Sequence, residues 1–264
     1  MWQYVFSSVA GTAHAKASLP VQDACRAEVV TDARGAEVLI AVASDGAGSA
    51  AHGRTGSKLA CELLADEVRA HLAEGGDCAR LAGGFIEDWV VKYQRLIARD
   101  LGGDGPERQD FACTLVAAVV EREQAAYFQI GDGAIVASSR DARDDYQCVC
   151  WPQRGEYANT TNFLTDLDAA DKIFRQLQPA AIEELALFTD GLQSLVLNYR
   201  TRSAHLPFFA PLFAWLRSCR EGHSPELSNA LAGYLDSEKI NARTDDDKTL
   251  ILATRRSLEK SREV

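Results

Sequence analysis

Three apolar runs in this chain stop on the same two residues. They are EVLIAVAS before Asp45-Gly46, QAAYFQIG before Asp132-Gly133, and ELALFT before Asp190-Gly191. Runs this continuously apolar and β-branched read as strands buried on both faces. Taken singly, each Asp-Gly pair is a favoured turn dipeptide, and a tight turn is its ordinary meaning. After Asp45 and Asp190, however, the sequence moves toward a helix instead of returning as an alternating strand, which presents these side chains at a sheet end. Asp132 keeps the turn reading, because AIVASS after it resembles a returning hairpin strand.

Further strands are expected at 2–7, 111–120, 124–131, 134–139, 146–151 and 249–254, and helices over about 54–73, 79–100, 206–220 and 225–236. The strands within 111–139 follow one another through short turns, which favours antiparallel meanders over a doubly wound sheet. Two sheets packed together and covered by helix pairs would bury both strand faces. No repeat or linker divides the chain, so a single domain is expected over 1–256 with a polar tail at 257–264. The stretch 152–170 is long, polar and aperiodic, the kind of loop that carries function.

Lys and Arg number 28 against 38 Asp and Glu, a formal charge of -10 that disfavours nucleic acid and acidic membrane surfaces as partners. The N-terminus lacks a basic segment followed by an apolar one, and no run is long enough to span a bilayer, so a cytoplasmic protein is expected. The seven cysteines are odd in number, scattered and set among apolar neighbours, which suits reduced thiols. Cys148 and Cys150 are spaced too closely for an ordinary zinc site. Gly53-Arg54-Thr55-Gly56-Ser57-Lys58 has the wrong order for a nucleotide-binding loop.

Two more acidic elements stand near predicted strands: Gln22-Asp23-Ala24 near the start, and Thr244-Asp245-Asp246-Asp247-Lys248-Thr249 before TLILAT. If the carboxylates converge, each pair at about 4 Å repels by roughly 4 kcal/mol at an effective dielectric near 20. Such a site needs protons or cations. Carboxylates and a glycine carbonyl are hard oxygen ligands, which select magnesium or manganese over zinc.

The motifs Gln22-Asp23-Ala24, Ala43-Ser44-Asp45-Gly46-Ala47-Gly48, Phe111-Ala112-Cys113-Thr114-Leu115, Ile130-Gly131-Asp132-Gly133, Phe188-Thr189-Asp190-Gly191-Leu192 and Asp246-Asp247-Lys248-Thr249 together resemble those of the metal-dependent type 2C protein serine/threonine phosphatases. They occur in that family's order and run across almost the whole chain. The resemblance implies an α+β, four-layer α-β-β-α sandwich with two central antiparallel sheets flanked by helix pairs. It also implies a binuclear manganese or magnesium centre. Asp45 would bridge both ions, the Gly46 carbonyl and Asp23 would serve one, and Asp190 and Asp246 the other. Asp132, with help from Asp190, resembles the ligand of a weaker third ion. A water between the two ions would lose its proton near neutral pH and attack a phosphoserine or phosphothreonine in line. The implied partners are a phosphorylated protein and a cognate serine/threonine kinase.

Three departures from the family's pattern stand out, the first being Gln22, which stands where the family often carries an acidic residue just before the aspartate of its first motif. The family's arginine upstream of the first motif is absent between His14 and Asp23, leaving Lys16 as the nearest basic residue for gripping phosphate. Ala47 occupies the place where animal members carry a histidine, so proton delivery must come from elsewhere, with His14 and His52 as candidates. Two alternatives stay open: a pseudophosphatase that keeps the fold as a regulatory binding module, and a hydrolase of small phosphate esters.

Overall fold

The computed structural model describes residues 1–102, 105–153, 161–220 and 222–256. The expected tail at 257–264 and residues 154–160 of the expected loop lie outside the described residues. The strands in chain order are β1 (Gln3–Val9), β2 (Ala24–Thr31), β3 (Glu37–Ser44), β4 (Leu115–Val120), β5 (Ala125–Ile130), β6 (Ala134–Ser139), β7 (Ala142–Cys150), β8 (Phe174–Gln178), β9 (Ile182–Phe188), β10 (Leu197–Asn198), β11 (Ser203–Ala204) and β12 (Lys248–Thr254). Two antiparallel five-stranded sheets form, one ordered β1-β12-β9-β6-β7 and the other β2-β3-β4-β5-β8, with β10 and β11 as a small separate pair.

Strand alternation builds three cores from these two sheets. Along β3, Val38, Ile40 and Val42 face outward against Leu64 and Val68 of helix Gly53–Ala73 and against Trp89 and Tyr93. Leu39, Ala41 and Ala43 face inward and meet Leu185, Leu187 and Ile251 of the other sheet. That second sheet turns Ala186, Phe188, Leu250 and Leu252 outward onto Phe209 and Phe213 of helix Leu206–Ser218 and onto Leu231 of helix Pro225–Leu235. The architecture is therefore α+β, a four-layer α-β-β-α sandwich.

Three sequence expectations change. The segment 79–100 is not one helix: it breaks at Gly83–Gly84, whose backbones leave helical geometry, and resumes as helix Ile86–Leu96. Strands β2 and β8, absent from the sequence reading, form the two edges of their sheet. The hairpin expected around Asp132 is also overturned. β5 and β6 belong to different sheets, so Gly131–Gly133 carries the chain from one layer to the other. Among the described residues, no helix is long and apolar enough to cross a membrane.

Candidate metal centre

Strand register brings the acidic residues together at one end of the sandwich. β2 pairs with β3 so that Ala24 lies opposite Ser44, which sets Asp23 and Asp45 side by side. β9 pairs with β12 so that Phe188 lies opposite Leu250, which brings Asp190 alongside the segment that holds Asp246. The crossover between sheets supplies Asp132. Asp45, Asp132 and Asp190 each offer a carboxylate oxygen, and these oxygens all lie within 4.8 Å of one another. With Gly46 and Asp246 they line an open cleft of about 910 Å³.

The glycines of two Asp-Gly pairs serve close approach between main chains. A Cβ on Gly46 would stand 2.8 Å from the Gln22 carbonyl and closer still to the Gly53 backbone. A Cβ on Gly191 would collide with the carbonyl of Asp247. Main-chain crossings, as much as side-chain packing, thus hold the motifs in place.

Asp23 sits behind the cleft at 5% exposure. Its Oδ2 accepts the hydroxyls of Thr189 and Thr249, each at 2.7 Å, whereas its Oδ1 has no hydrogen-bond partner. Burial pushes the Asp23 carboxyl up to about 6, against which Asp45 and the two threonines pull it down. Asp45 is pushed well above the usual carboxylate range by burial and then by the charges of Asp23 and Asp190. Asp190 is pushed up to about 8 by burial, with Asp132 and Asp246 adding repulsion. Burial also raises Asp132, and Asp246 adds to it. A cluster this crowded holds protons or takes cations. The all-oxygen donor set, together with the orphaned Asp23 Oδ1, fits a hard divalent cation.

Asp247, one residue on, behaves differently. It is 2% exposed and collects donors: the Gly11 N–H at 2.7 Å and His14 Nδ1 at 2.8 Å on one oxygen, the Gln22 N–H at 2.6 Å on the other. The backbone N–H of Ala13 adds a bond to the Asp245 carbonyl at 3.0 Å. The short helix Thr12–Lys16 is thereby fastened to the segment that precedes β12. The nitrogen bonded to Asp247 is Nδ1, which assigns the proton there and leaves Nε2 as the other polar atom of a ring that lines the cleft.

Of the sequence candidates, Asp45, Gly46, Asp132, Asp190 and Asp246 line the cleft, and Asp23 lies behind Asp45. Lys16 ends its short helix exposed and does not line the cleft. His14 lines it, whereas His52 stacks on Phe111 with ring centroids 5.1 Å apart. Among the described residues, no lysine or arginine lines the cleft. Gln22, which stands where an acid is usual, sets its side-chain amide against the carbonyls of Gly46 and Ala47, and the hydrogen-bond network assigns the facing atom as nitrogen, which then donates to them at 2.9 and 3.3 Å.

Sequence reasoning missed Thr189, Thr249, Gln193, Tyr199 and the role of Asp247. The two threonines lie inside the quoted motifs, one before Asp190 and one after Lys248, so small hydroxyls beside the ligands were the available signal. Gln193 and Tyr199 carry no such signal. Gln193 Nε2 donates to the Asp132 carbonyl at 2.7 Å, and the Tyr199 hydroxyl donates to Gln193 Oε1.

Comparison with known proteins agrees with this fold. A family model described as Protein phosphatase 2C matches residues 10–236. Serine/threonine-protein phosphatase 3 of Escherichia coli (strain K12) is 34% identical over 255 residues, spanning 96% of this chain and 98% of the relative. Among solved structures, a bacterial serine phosphatase superposes with a TM-score of 0.60 at 15% identity, covering 98% of this chain and 100% of its own. The catalytic domain of the serine threonine protein phosphatase PstP, in complex with two manganese ions, gives 0.60 at 19% identity, covering 96% and 97%. Stp1 from Staphylococcus aureus gives 0.58 at 15% identity, covering 97% and 96%.

Proposed function

This chain belongs to the protein phosphatase 2C family, and on that premise we propose that it removes phosphate from phosphoserine and phosphothreonine in proteins at a centre for two manganese or magnesium ions. The observation that carries the reading is the convergence of Asp45, Asp132 and Asp190 within 4.8 Å, with Asp23 and Asp246 beside them. In this reading Asp23, Asp45, the Gly46 carbonyl, Asp190 and Asp246 would hold the two ions. Asp132, with Asp190, would hold a third and weaker ion. Two bound cations would supply an acidified water as nucleophile and offset the charge of the phosphoryl oxygens.

The chain's own residues prepare the rest. Thr189 and Thr249 fix one oxygen of Asp23 and leave the other open toward Asp45. Asp247 holds the His14 ring by Nδ1, so that as an imidazolium its Nε2–H can protonate the departing seryl or threonyl oxygen. This assigns to His14 the task for which Ala47 has no side chain. The phosphate grip expected of Lys16 stays a weaker element of the proposal, given that residue's place outside the cleft. Hydrolysis of cytoplasmic phosphoproteins implies a serine/threonine kinase that makes them.

The test is manganese-dependent release of phosphate from a phosphopeptide, compared with Asp45→Asn. Full activity in that variant, or turnover indifferent to chelator, would overturn the assignment. A second reading, a binding module that keeps the fold without turnover, draws on the lack of any lysine or arginine lining the cleft among the described residues. Calorimetry without manganese uptake, together with no turnover on any phosphopeptide, would favour it. Preference for free phosphometabolites over phosphopeptides in a side-by-side panel would instead mark a small-ester hydrolase.

A further inference from the structure

Beside the acidic cleft, and sharing Tyr199 with it as a common wall, lies a second groove of about 480 Å³. Its character is opposite. Lys239 and Arg243 line it together with the rings of Phe208 and Tyr234. Both cations are exposed, and neither makes an ion pair or a side-chain hydrogen bond among the described residues. Many of this chain's other exposed cations do have a carboxylate, as Lys92 has Glu67 and Arg69 has Glu28. In a chain of formal charge -10, two unpaired cations on one groove wall contribute nothing evident to stability.

The wall between groove and cleft is tied to the candidate metal centre. Tyr199 bonds to Gln193, and Gln193 bonds to the Asp132 carbonyl. Tyr199 also meets Trp151 edge-on, with ring centroids 5.9 Å apart, which backs the wall from the other side. An extended peptide leaving the cleft over Tyr199 enters the groove directly. Lys239 and Arg243 then meet residues a few positions from the phosphorylated one, at about 3.3 Å of chain per residue.

We propose that this groove binds an acidic stretch of the phosphoprotein substrate, carboxylate or phosphate, that flanks the residue being dephosphorylated. The proposal rests on the phosphatase reading and deepens it by naming a substrate class. Charge complementarity commits it to an acidic occupant. Among the described residues no lysine or arginine lines the cleft, and the groove is the adjoining place where acidic neighbours of the phosphoresidue find unpaired cations. The aromatic rings give the peptide stem apolar contact, while the guanidinium and ammonium supply the choice between sequences.

The experiment compares the manganese-loaded full chain with the Lys239→Ala/Arg243→Ala double variant on phosphopeptides whose flanks are acidic, neutral or basic. The wild type is expected to favour the acidic peptide in kcat/KM by roughly tenfold, the effect of a few charge-assisted contacts at an exposed site. The double variant should lose that preference through KM with kcat unchanged, and turnover of an aryl phosphate, which is too small to reach the groove, should be the same in both proteins. Equal kcat/KM for the three peptides in the wild type, or a preference that survives the double substitution, would overturn the proposal.

If no substrate turns over, the phosphatase reading fails and the groove is judged by binding alone. Fluorescence anisotropy with the same peptides carrying alanine at the phosphorylated position should then show the acidic peptide binding the wild type several-fold more tightly than the double variant. Equal affinity overturns the groove assignment independently of catalysis.

Discussion

Two buried carboxylates, Asp23 and Asp247, come from opposite ends of the chain to the same end of the sandwich, and they use the same side chain for opposite purposes. Asp247 is enclosed by donors on both oxygens. Asp23 has two hydroxyls on one oxygen and no donor on the other. Burial is alike in the two, 2% and 5% exposed. What separates a structural carboxylate from a candidate ligand is therefore the supply of hydrogen-bond donors. One site is finished by the protein, and the other leaves a carboxylate oxygen without a donor.

The difference can be broken most forcefully at Asp45. Asp45→Asn is expected to lower phosphopeptide turnover by roughly 10³-fold or more, the loss of several kcal/mol of charge stabilisation. Its metal-free form should melt no lower than the wild type, because a repelling charge has gone. Next in size is Asp247→Ala, which orphans two buried N–H groups and the His14 ring. It should cost about 3 kcal/mol of unfolding free energy in urea titrations whether or not manganese is present. If the two substitutions moved metal-free stability in the same direction and by the same amount, the contrast between the sites would be lost.

A smaller effect sharpens the comparison through pH. The folded protein keeps protons on Asp23 up to about pH 6 and on Asp190 up to about pH 8, whereas the unfolded chain releases them near the ordinary value of 3.8. Between these limits the native state binds more protons than the unfolded one, so stability falls as pH rises. This contribution is fully present below about pH 4 and is lost as pH climbs through 6 to 8. The melting temperature of the metal-free protein should accordingly decline over this window, with manganese restoring it most at the alkaline end. Calorimetric titration should show manganese uptake expelling protons across the same window. A flat metal-free profile would contradict the crowding described at the cleft. Smallest of all, Thr249→Val removes one hydroxyl from Asp23 and one bond to Ser8, and should cost about 1 kcal/mol with a several-fold loss of manganese affinity.

How legible all this was in the sequence depended on where each segment lies. The buried strands β3, β4, β5, β9 and β12 announce themselves as apolar runs because both faces are covered. β2 and β8, and the first residues of β7, escaped because they are edges, where ACRAEVVT, FRQLQ and ARDD mix charged residues into the strand. Asp45 and Asp190 could be placed at sheet ends from the helix signals after them. Asp132 could not, since a chain that changes sheets and one that turns back look identical over six apolar residues. Nor does a run of three aspartates say which one is buried among donors, and the groove by Tyr199 joins residues that only the folded chain brings near one another.

The glycine crossings at Gly46 and Gly191 and the knot of bonds at Asp247 fix the shape of this end of the molecule without using the carboxylates that face the cleft. The shape of this end thus does not depend on the cleft-facing carboxylates of Asp45, Asp132 and Asp190. On the proposed reading, a single nucleotide change that turns one cleft aspartate codon into asparagine is expected to silence hydrolysis and leave the neighbouring groove intact. For a lineage carrying this gene, a duplicated copy can pass from enzyme to decoy in one step, whereas recovering a lost scaffold would need several changes at once.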